Sequence, residues 1–318
     1  MRIFITGGSG LLGSKVAEIA LERGYEVYSG YNNHKPEFGE PIKLDLTDSD
    51  SIIRVIKDVK PDAIVHSAAL TDVDKCEVEK ELAYKINVEG TKVIAEMARK
   101  IGAFMVYVST DYVFDGSKGM YREEDETNPV NYYGYTKLLG ERFCRDFCIA
   151  RPCVIYGSKP ASGKVNFALW LINKLEKSEE VKIITDQWIT PTLNTNLAEM
   201  VLECVERELK DIYHLAGATR VSRFEFAKEI AREFGLDENL IKPAKMSDMN
   251  WIAKRPRDSS LDVSKAMKSL KEKPYDLKKA LKVLKGRNGG VNEALLILLL
   301  LFFQYASNFE IRTKNFKS

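Results

Sequence analysis

Residues 1–13 constrain the fold of this chain more than any other stretch. Met1 to Thr6 is a short apolar run that leads directly into Gly7-Gly8-Ser9-Gly10-Leu11-Leu12-Gly13, after which Ala17, Ile19, Ala20 and Leu21 follow a helical pattern. A strand, a glycine turn and a helix in that order open a dinucleotide-binding unit. Gly7 permits the tight turn, Gly10 lets the backbone approach a pyrophosphate, and Gly13 allows close packing of helix on strand. The helix amino terminus favours the anionic phosphates. A glycine motif alone is weak evidence, and its position directly after a strand gives it weight.

Further strand-like segments follow near residues 26–30, 63–67, 104–109 and 149–152, separated by helical patterns. Such alternation predicts an α/β fold, a doubly wound parallel sheet of Rossmann type with a smaller C-terminal substrate-binding lobe. The expected division is a dinucleotide-binding domain over 1–152, a substrate lobe over 153–285 interleaved with the sheet, and a linker with an apolar tail over 286–318. Ligands of such sheets bind at the carboxyl ends of the strands. Those ends carry Gly7 to Gly13, Asp45-Leu46, Ala68-Ala69-Leu70 and Ser109-Thr110-Asp111. Read in isolation, Asp45 fits a loop cap equally well, and the two alanines fit small packing residues under a helix.

The second strand, Glu26 to Gly30, ends without the acidic residue that would bind the ribose hydroxyls of NAD. Its continuation, Tyr31-Asn32-Asn33-His34-Lys35, is neutral to basic and tolerates a 2′-phosphate, so NADPH is the expected cofactor, with NADH as the alternative.

Residues 132–137 read Tyr-Tyr-Gly-Tyr-Thr-Lys. The spacing of Leu138, Leu139, Phe143 and Phe147 predicts a helix over 132–147, which puts Tyr133 and Lys137 four apart on one face. A phenol is a poor acid at neutral pH, and a neighbouring ammonium is expected to lower its pKa. Tyr133 then donates a proton to a ketone oxygen as hydride reaches the carbon, while Thr110 holds that oxygen. A Tyr and a Lys at this spacing also fit an ordinary amphipathic surface pair; the strand ends around them favour catalysis.

With a net charge of +2 and no basic stripe interleaved with aromatics, the 318-residue chain gives no case for nucleic acid, and small molecules are the expected partners. The five cysteines form no CxxC pair, and strand structure begins at residue 2 with no signal peptide before it; both point to a reduced cytoplasmic protein.

Several motifs now combine. Gly-x-x-Gly-x-x-Gly, Leu-Asp-Leu-Thr-Asp at 44–48, Ala-Ala-Leu-Thr-Asp-Val-Asp-Lys-Cys-Glu at 68–77 and Ile-Asn-Val-Glu-Gly-Thr at 86–91 precede Ser-Thr-Asp-Tyr-Val-Phe-Asp-Gly at 109–116 and Asn-Pro-Val-Asn-Tyr-Tyr-Gly-Tyr-Thr-Lys at 128–137. Over residues 1–285 the chain resembles the extended short-chain dehydrogenase/reductases, and among them the dTDP-4-dehydrorhamnose reductase family. The resemblance implies Thr110, Tyr133 and Lys137 as the catalytic set, with Lys137 and Tyr133 also contacting the dinucleotide. It places Gly7, Gly10, Leu12, Gly13, Asp45, Leu46, Ala68 and Ala69 at the cofactor, and Thr71, Val73, Asp111 and Arg255 at the sugar nucleotide. It implies reduction of the 4-keto group of dTDP-4-dehydro-L-rhamnose. No metal site is assigned, and a homodimer fits the family.

After Arg151 the family often has Thr-Ser and then Trp, whereas this chain has Pro152-Cys153-Val154, so the sugar pocket is expected to differ. Three rival readings stand beside the reductase. A 4,6-dehydratase needs a second carboxylate after Asp111, where Tyr112 stands; a 4-epimerase matches the scaffold better than the specific motifs; and the beta subunit of methionine adenosyltransferase resembles the same reductases without depending on turnover. In the C-terminal half, Arg223 and Lys228 fit contacts to a diphosphate and fit solvated loops equally well. Finally, Gly286 to Gly290 reads as a linker and Ala294 to Phe303 as an apolar run, too short to span a bilayer, for which a dimer-interface helix or an added segment is expected over a membrane contact.

Overall fold

The computed structural model describes residues 1–163 and 165–286, so the apolar run over 294–303 and most of the preceding linker lie outside the described residues. The chain opens with β1 (Arg2–Thr6), α1 (Gly13–Glu22), β2 (Glu26–Tyr31), β3 (Glu40–Lys43), α2 (Ser49–Val59) and β4 (Ala63–His66). Two short helices, α3 (Val73–Val78) and α4 (Lys80–Tyr84), run through a π-helical turn at Lys85–Glu89 into α5 (Gly90–Ile101), then β5 (Phe104–Val108), α6 (Tyr132–Glu141) and β6 (Cys148–Arg151). The remainder holds β7 (Ile155–Tyr156), α7 (Phe167–Glu176), β8 (Val181–Ile184), β9 (Trp188–Ile189), β10 (Thr192–Leu193), α8 (Asn194–Glu206), β11 (Asp211–His214), β12 (Val221–Ser222), α9 (Arg223–Phe234), β13 (Ile241–Ala244) and α10 (Ser264–Ser269).

Seven strands form one sheet in the order β11-β6-β5-β4-β1-β2-β3, and every pairing is parallel. Burial on both faces explains the inner strands β4 and β5, which are largely apolar rather than alternating: Phe104 to Val108 and Ala63 to His66 are buried throughout. Helix α1 packs with α8 and α2 with α5, covering the sheet on both sides. The order reverses about β1, so the crevice beyond Thr6 lies at the switch point where such sheets take ligands.

Two hydrophobic clusters hold the molecule. One surrounds the large sheet and draws in Leu197 to Val205 of α8. The other gathers α7, α9 and residues out to Leu284, and it also takes Val113, Phe114 and Tyr121 from the chain after β5. The second cluster therefore reaches the chain just after Thr110. Among the described residues no helix is long and apolar enough to cross a membrane.

The helix expected over 132–147 ends at Glu141. Beyond it the backbone tightens into three-residue turns, with the amides of Arg142, Phe143 and Cys144 donating to the carbonyls of Leu139, Gly140 and Glu141. Cys144 and Phe147 are then buried in the sheet cluster rather than continuing a helical stripe.

Candidate active site

A cleft of about 750 Å³ runs along the carboxyl edge of the sheet, within the range of small-molecule sites. Its floor at one end is the glycine turn. Gly7 has φ +71°, a left-handed conformation that favours glycine. The Gly10 amide donates to the Gly7 carbonyl at 2.8 Å. A Cβ on Gly13 would be driven into the same carbonyl, so Gly13 is required by the turn itself more than by helix-on-strand packing. Leu12, Asp45, Leu46, Ala68 and Ala69 complete this end of the lining. Asp45 is a loop cap as well as a wall: its Oδ1 accepts from the Thr47 amide and hydroxyl, both at 2.8 Å, and these bonds hold its carboxyl below the usual range. The main-chain cradle leaves space where side chains would stand, a shape that fits an extended phosphate-bearing ligand.

Tyr133 and Lys137 project from α6 one turn apart and both line the cleft. The Asn131 side chain starts the helix, its Oδ1 accepting from the Gly134 amide at 2.9 Å while its Nδ2 donates to the Lys254 carbonyl. Gly134 has no room for a Cβ because the Tyr112 carbonyl lies against it, and the Tyr112 and Tyr133 rings meet edge to face with centroids 6.0 Å apart. The helix is thus seated directly on the turn that follows Thr110.

The electrostatics differ from the expectation that the ammonium lowers the phenol's pKa. Burial pushes Tyr133 up, and the Thr110 hydroxyl beside it acts the other way without prevailing. Burial likewise brings Lys137 down to about 7, and its ammonium stands 4.2 Å from the centre of the Tyr107 ring. Desolvation wins over charge pairing at both groups. Tyr133 consequently keeps its proton, and Lys137 exchanges one near neutral pH.

Thr110 caps the 3₁₀ turn Asp111–Val113, its Oγ1 accepting from the Tyr112 amide at 3.2 Å and donating to Asp111 Oδ1 at 3.1 Å. To hold a substrate oxygen, the hydroxyl must turn away from Asp111. Asp111 itself is buried among donors, with Ser259 Oγ at 2.5 Å and Cys153 Sγ at 3.1 Å on Oδ2, and burial raises its pKa. Behind this wall Arg151 grips Glu141 with two bonds of 2.8 and 2.7 Å, and Ser109 donates to the same carboxylate at 2.5 Å. This buried fork ties the end of β6 to the last turn of α6, and the Ser109 bond adds the end of β5.

Thr71, Val73 and Asp111 stand in the cleft wall together with Tyr133. Arg255 does not. Its guanidinium pairs with Asp74 at 3.1 Å, donates to the Ala253 carbonyl and lies 5.2 Å over the Trp251 ring, so it clamps a loop outside the lining. Arg223 lines the cleft instead. Lys228 turns to the Glu238 carbonyl and also stays out.

Two further residues take places that their motifs alone do not specify. Asn87, in the π-helical turn, bonds both main-chain groups of Leu70 (2.8 and 3.1 Å) and the Thr136 hydroxyl (3.0 Å), joining the loop before α3 to α6. It belongs to the Ile-Asn-Val-Glu-Gly-Thr motif, but a π turn leaves no periodic signal. Val154 lines the cleft at φ +41°, a costly conformation for a β-branched residue.

Residues 1–286 match the family model described as RmlD substrate binding domain. A crystal structure of a hypothetical dTDP-4-dehydrorhamnose reductase from Sulfolobus tokodaii is 42% identical, with a TM-score of 0.79, covering 87% of this chain and 98% of that one. A dTDP-4-dehydrorhamnose reductase from Bacillus anthracis, solved in complex with NADP, is 29% identical with a TM-score of 0.80, covering 90% and 99%. The methionine adenosyltransferase 2 subunit beta of Xenopus tropicalis is 33% identical, over 84% of this chain and 82% of its own length.

Proposed function

Since the chain belongs to the RmlD substrate binding domain family, we propose that it reduces the 4-keto group of a nucleotide sugar, dTDP-4-dehydro-L-rhamnose, to the alcohol of dTDP-L-rhamnose. The observation that carries this reading is the protonated phenol of Tyr133 on the helix that also bears Lys137, both facing a cleft whose other end is a glycine cradle.

The cradle of Gly7, Gly10 and Gly13 fits the pyrophosphate of NADPH, and Tyr31 to His34, which carry no carboxylate, line the cleft where its adenosine ribose belongs. NADP in the B. anthracis relative supports the same cofactor, and NADH is the second choice. When bound, it supplies the hydride. The chain's own residues do the rest. Thr110 turns its hydroxyl from Asp111 to the ketone oxygen, and Tyr133 gives that oxygen its proton as negative charge develops there. Lys137, titrating near neutrality, bonds the ribose and stabilises the phenolate left behind. Val73 and Thr71 bound the sugar on the side of α3.

Consumption of NADPH or NADH by purified protein supplied with enzymatically generated dTDP-4-dehydro-L-rhamnose, with dTDP-L-rhamnose as the product, tests the reading. Dinucleotide binding with no turnover of this sugar removes it. A second reading, a regulatory partner of a methionine adenosyltransferase, rests on the likeness to the beta subunit. It predicts that the protein copurifies with a synthetase and alters that enzyme's kinetics.

A further inference from the structure

We infer that Arg223 is the anchor for the substrate's diphosphate and thereby sets which atom of the sugar reaches Tyr133. The inference deepens the reading of the cleft as a nucleotide-sugar reductase site and rests on it.

Arg223 is half-buried at the first turn of α9, on the wall that the second lobe contributes to the cleft. Among the described residues no carboxylate lies within ion-pair distance of it, although most of the described arginines are paired with one. Its guanidinium is nevertheless fixed. Nε donates to Gln187 Oε1 at 2.6 Å, and the group lies 5.8 Å over the Phe167 ring. Gln187 is buried and held in turn, its Nε2 donating to the Pro256 carbonyl at 3.0 Å. With Nε spent on a neutral acceptor, the terminal nitrogens keep their donors and the full positive charge for something else. A planar fork of this kind suits a phosphate.

Its place relative to Tyr133 identifies which phosphate. Tyr112 packs edge to face on Tyr133. Tyr112, Tyr133 and Arg223 all line the same cleft. The wall therefore offers a proton donor, an aromatic ring and a guanidinium to one ligand. In a pyranose the anomeric carbon, which carries the diphosphate, lies across the ring from carbon 4. A sugar seated between Tyr133 and Arg223 presents carbon 4 to the phenol and its C1 phosphate to the guanidinium. A ketone at another ring position would not meet both. The dinucleotide's pyrophosphate belongs to the glycine turn, of which Arg223 is no part, so Arg223 should leave cofactor binding alone.

Calorimetric titration of the full chain with dTDP, thymidine and NADPH tests this separately from turnover. Arg223→Met is expected to weaken dTDP on the order of tenfold to a hundredfold while thymidine and NADPH bind as before; Arg223→Lys, which keeps the charge and loses the fork, should recover part of the loss. Gln187→Glu, which gives the guanidinium an internal anion, should weaken dTDP in the same way without removing it. With a turning-over keto sugar, Arg223→Met should raise KM far more than it lowers kcat. Unchanged dTDP affinity in Arg223→Met, an equal loss for thymidine or NADPH, or wild-type protein that reduces a keto sugar yet binds no dTDP would each overturn the inference. Wild-type protein that binds dTDP through Arg223 but reduces no keto sugar keeps the anchor and removes the proposed reaction.

Discussion

Lys137 stands one helical turn beyond Tyr133, and its ammonium rests 4.2 Å over the Tyr107 ring with its pKa brought down to about 7. An unfolded lysine keeps its proton to about pH 10. Between pH 7 and about 10 the folded protein therefore binds fewer protons than the unfolded chain, so this group makes stability rise with pH across that window. Lys137→Met removes the desolvation cost. Chemical denaturation across pH should find the variant's stability gain largest below pH 7 and fading towards pH 10, while its activity is lost at every pH.

Gly134 is the point at which α6 touches the turn after Thr110. An added Cβ must push the helix from the Tyr112 carbonyl, a misplacement that costs on the order of a hundredfold in rate. Gly134→Ala should lower kcat by about that much while a thermal melt shows a folded protein destabilised by roughly 1–3 kcal/mol.

The Glu141–Arg151 fork is almost wholly buried, with side-chain exposures of 7% and 3%. Arg151→Met leaves the carboxylate without its cation and should cost about 3–5 kcal/mol in urea unfolding, whereas pairing it with Glu141→Gln should restore much of that loss. Because Ser109 shares this carboxylate next to Thr110, the single variant should also lose activity under conditions where it is still folded.

His66 and His214 are buried and neutral, each with its pKa brought down to about 3 chiefly by burial. Both protonate in the unfolded chain near pH 6.5. As pH falls from 6.5 towards 3 the unfolded state therefore gains up to two protons that the folded state refuses, and stability falls by up to about 2.7 kcal/mol per pH unit from this pair. His66→Gln should reduce the acid slope by one proton's worth.

The sheet and the glycine-turn end of the cleft are legible because their signals are local: the glycine turn after β1 and the buried apolar strands declare themselves in a few consecutive residues. The wall that Arg223 lines is less so. Arg255 and Arg223 look alike in sequence, and only the fold shows that Asp74 takes one while Gln187 leaves the other charged towards the cleft. The expected effect of Lys137 on Tyr133 failed for a related reason. Helical spacing gives the proximity of two charges, whereas the depth at which both are buried depends on the sheet beneath them.

The most direct measurement compares wild type with Tyr133→Phe for NADPH affinity and for single-turnover reduction of dTDP-4-dehydro-L-rhamnose. The account predicts unchanged NADPH binding and a fall in the rate of reduction on the order of 10²–10⁴-fold. A variant that reduces the sugar at the wild-type rate would show that the proton comes from elsewhere and would contradict the role assigned to Tyr133.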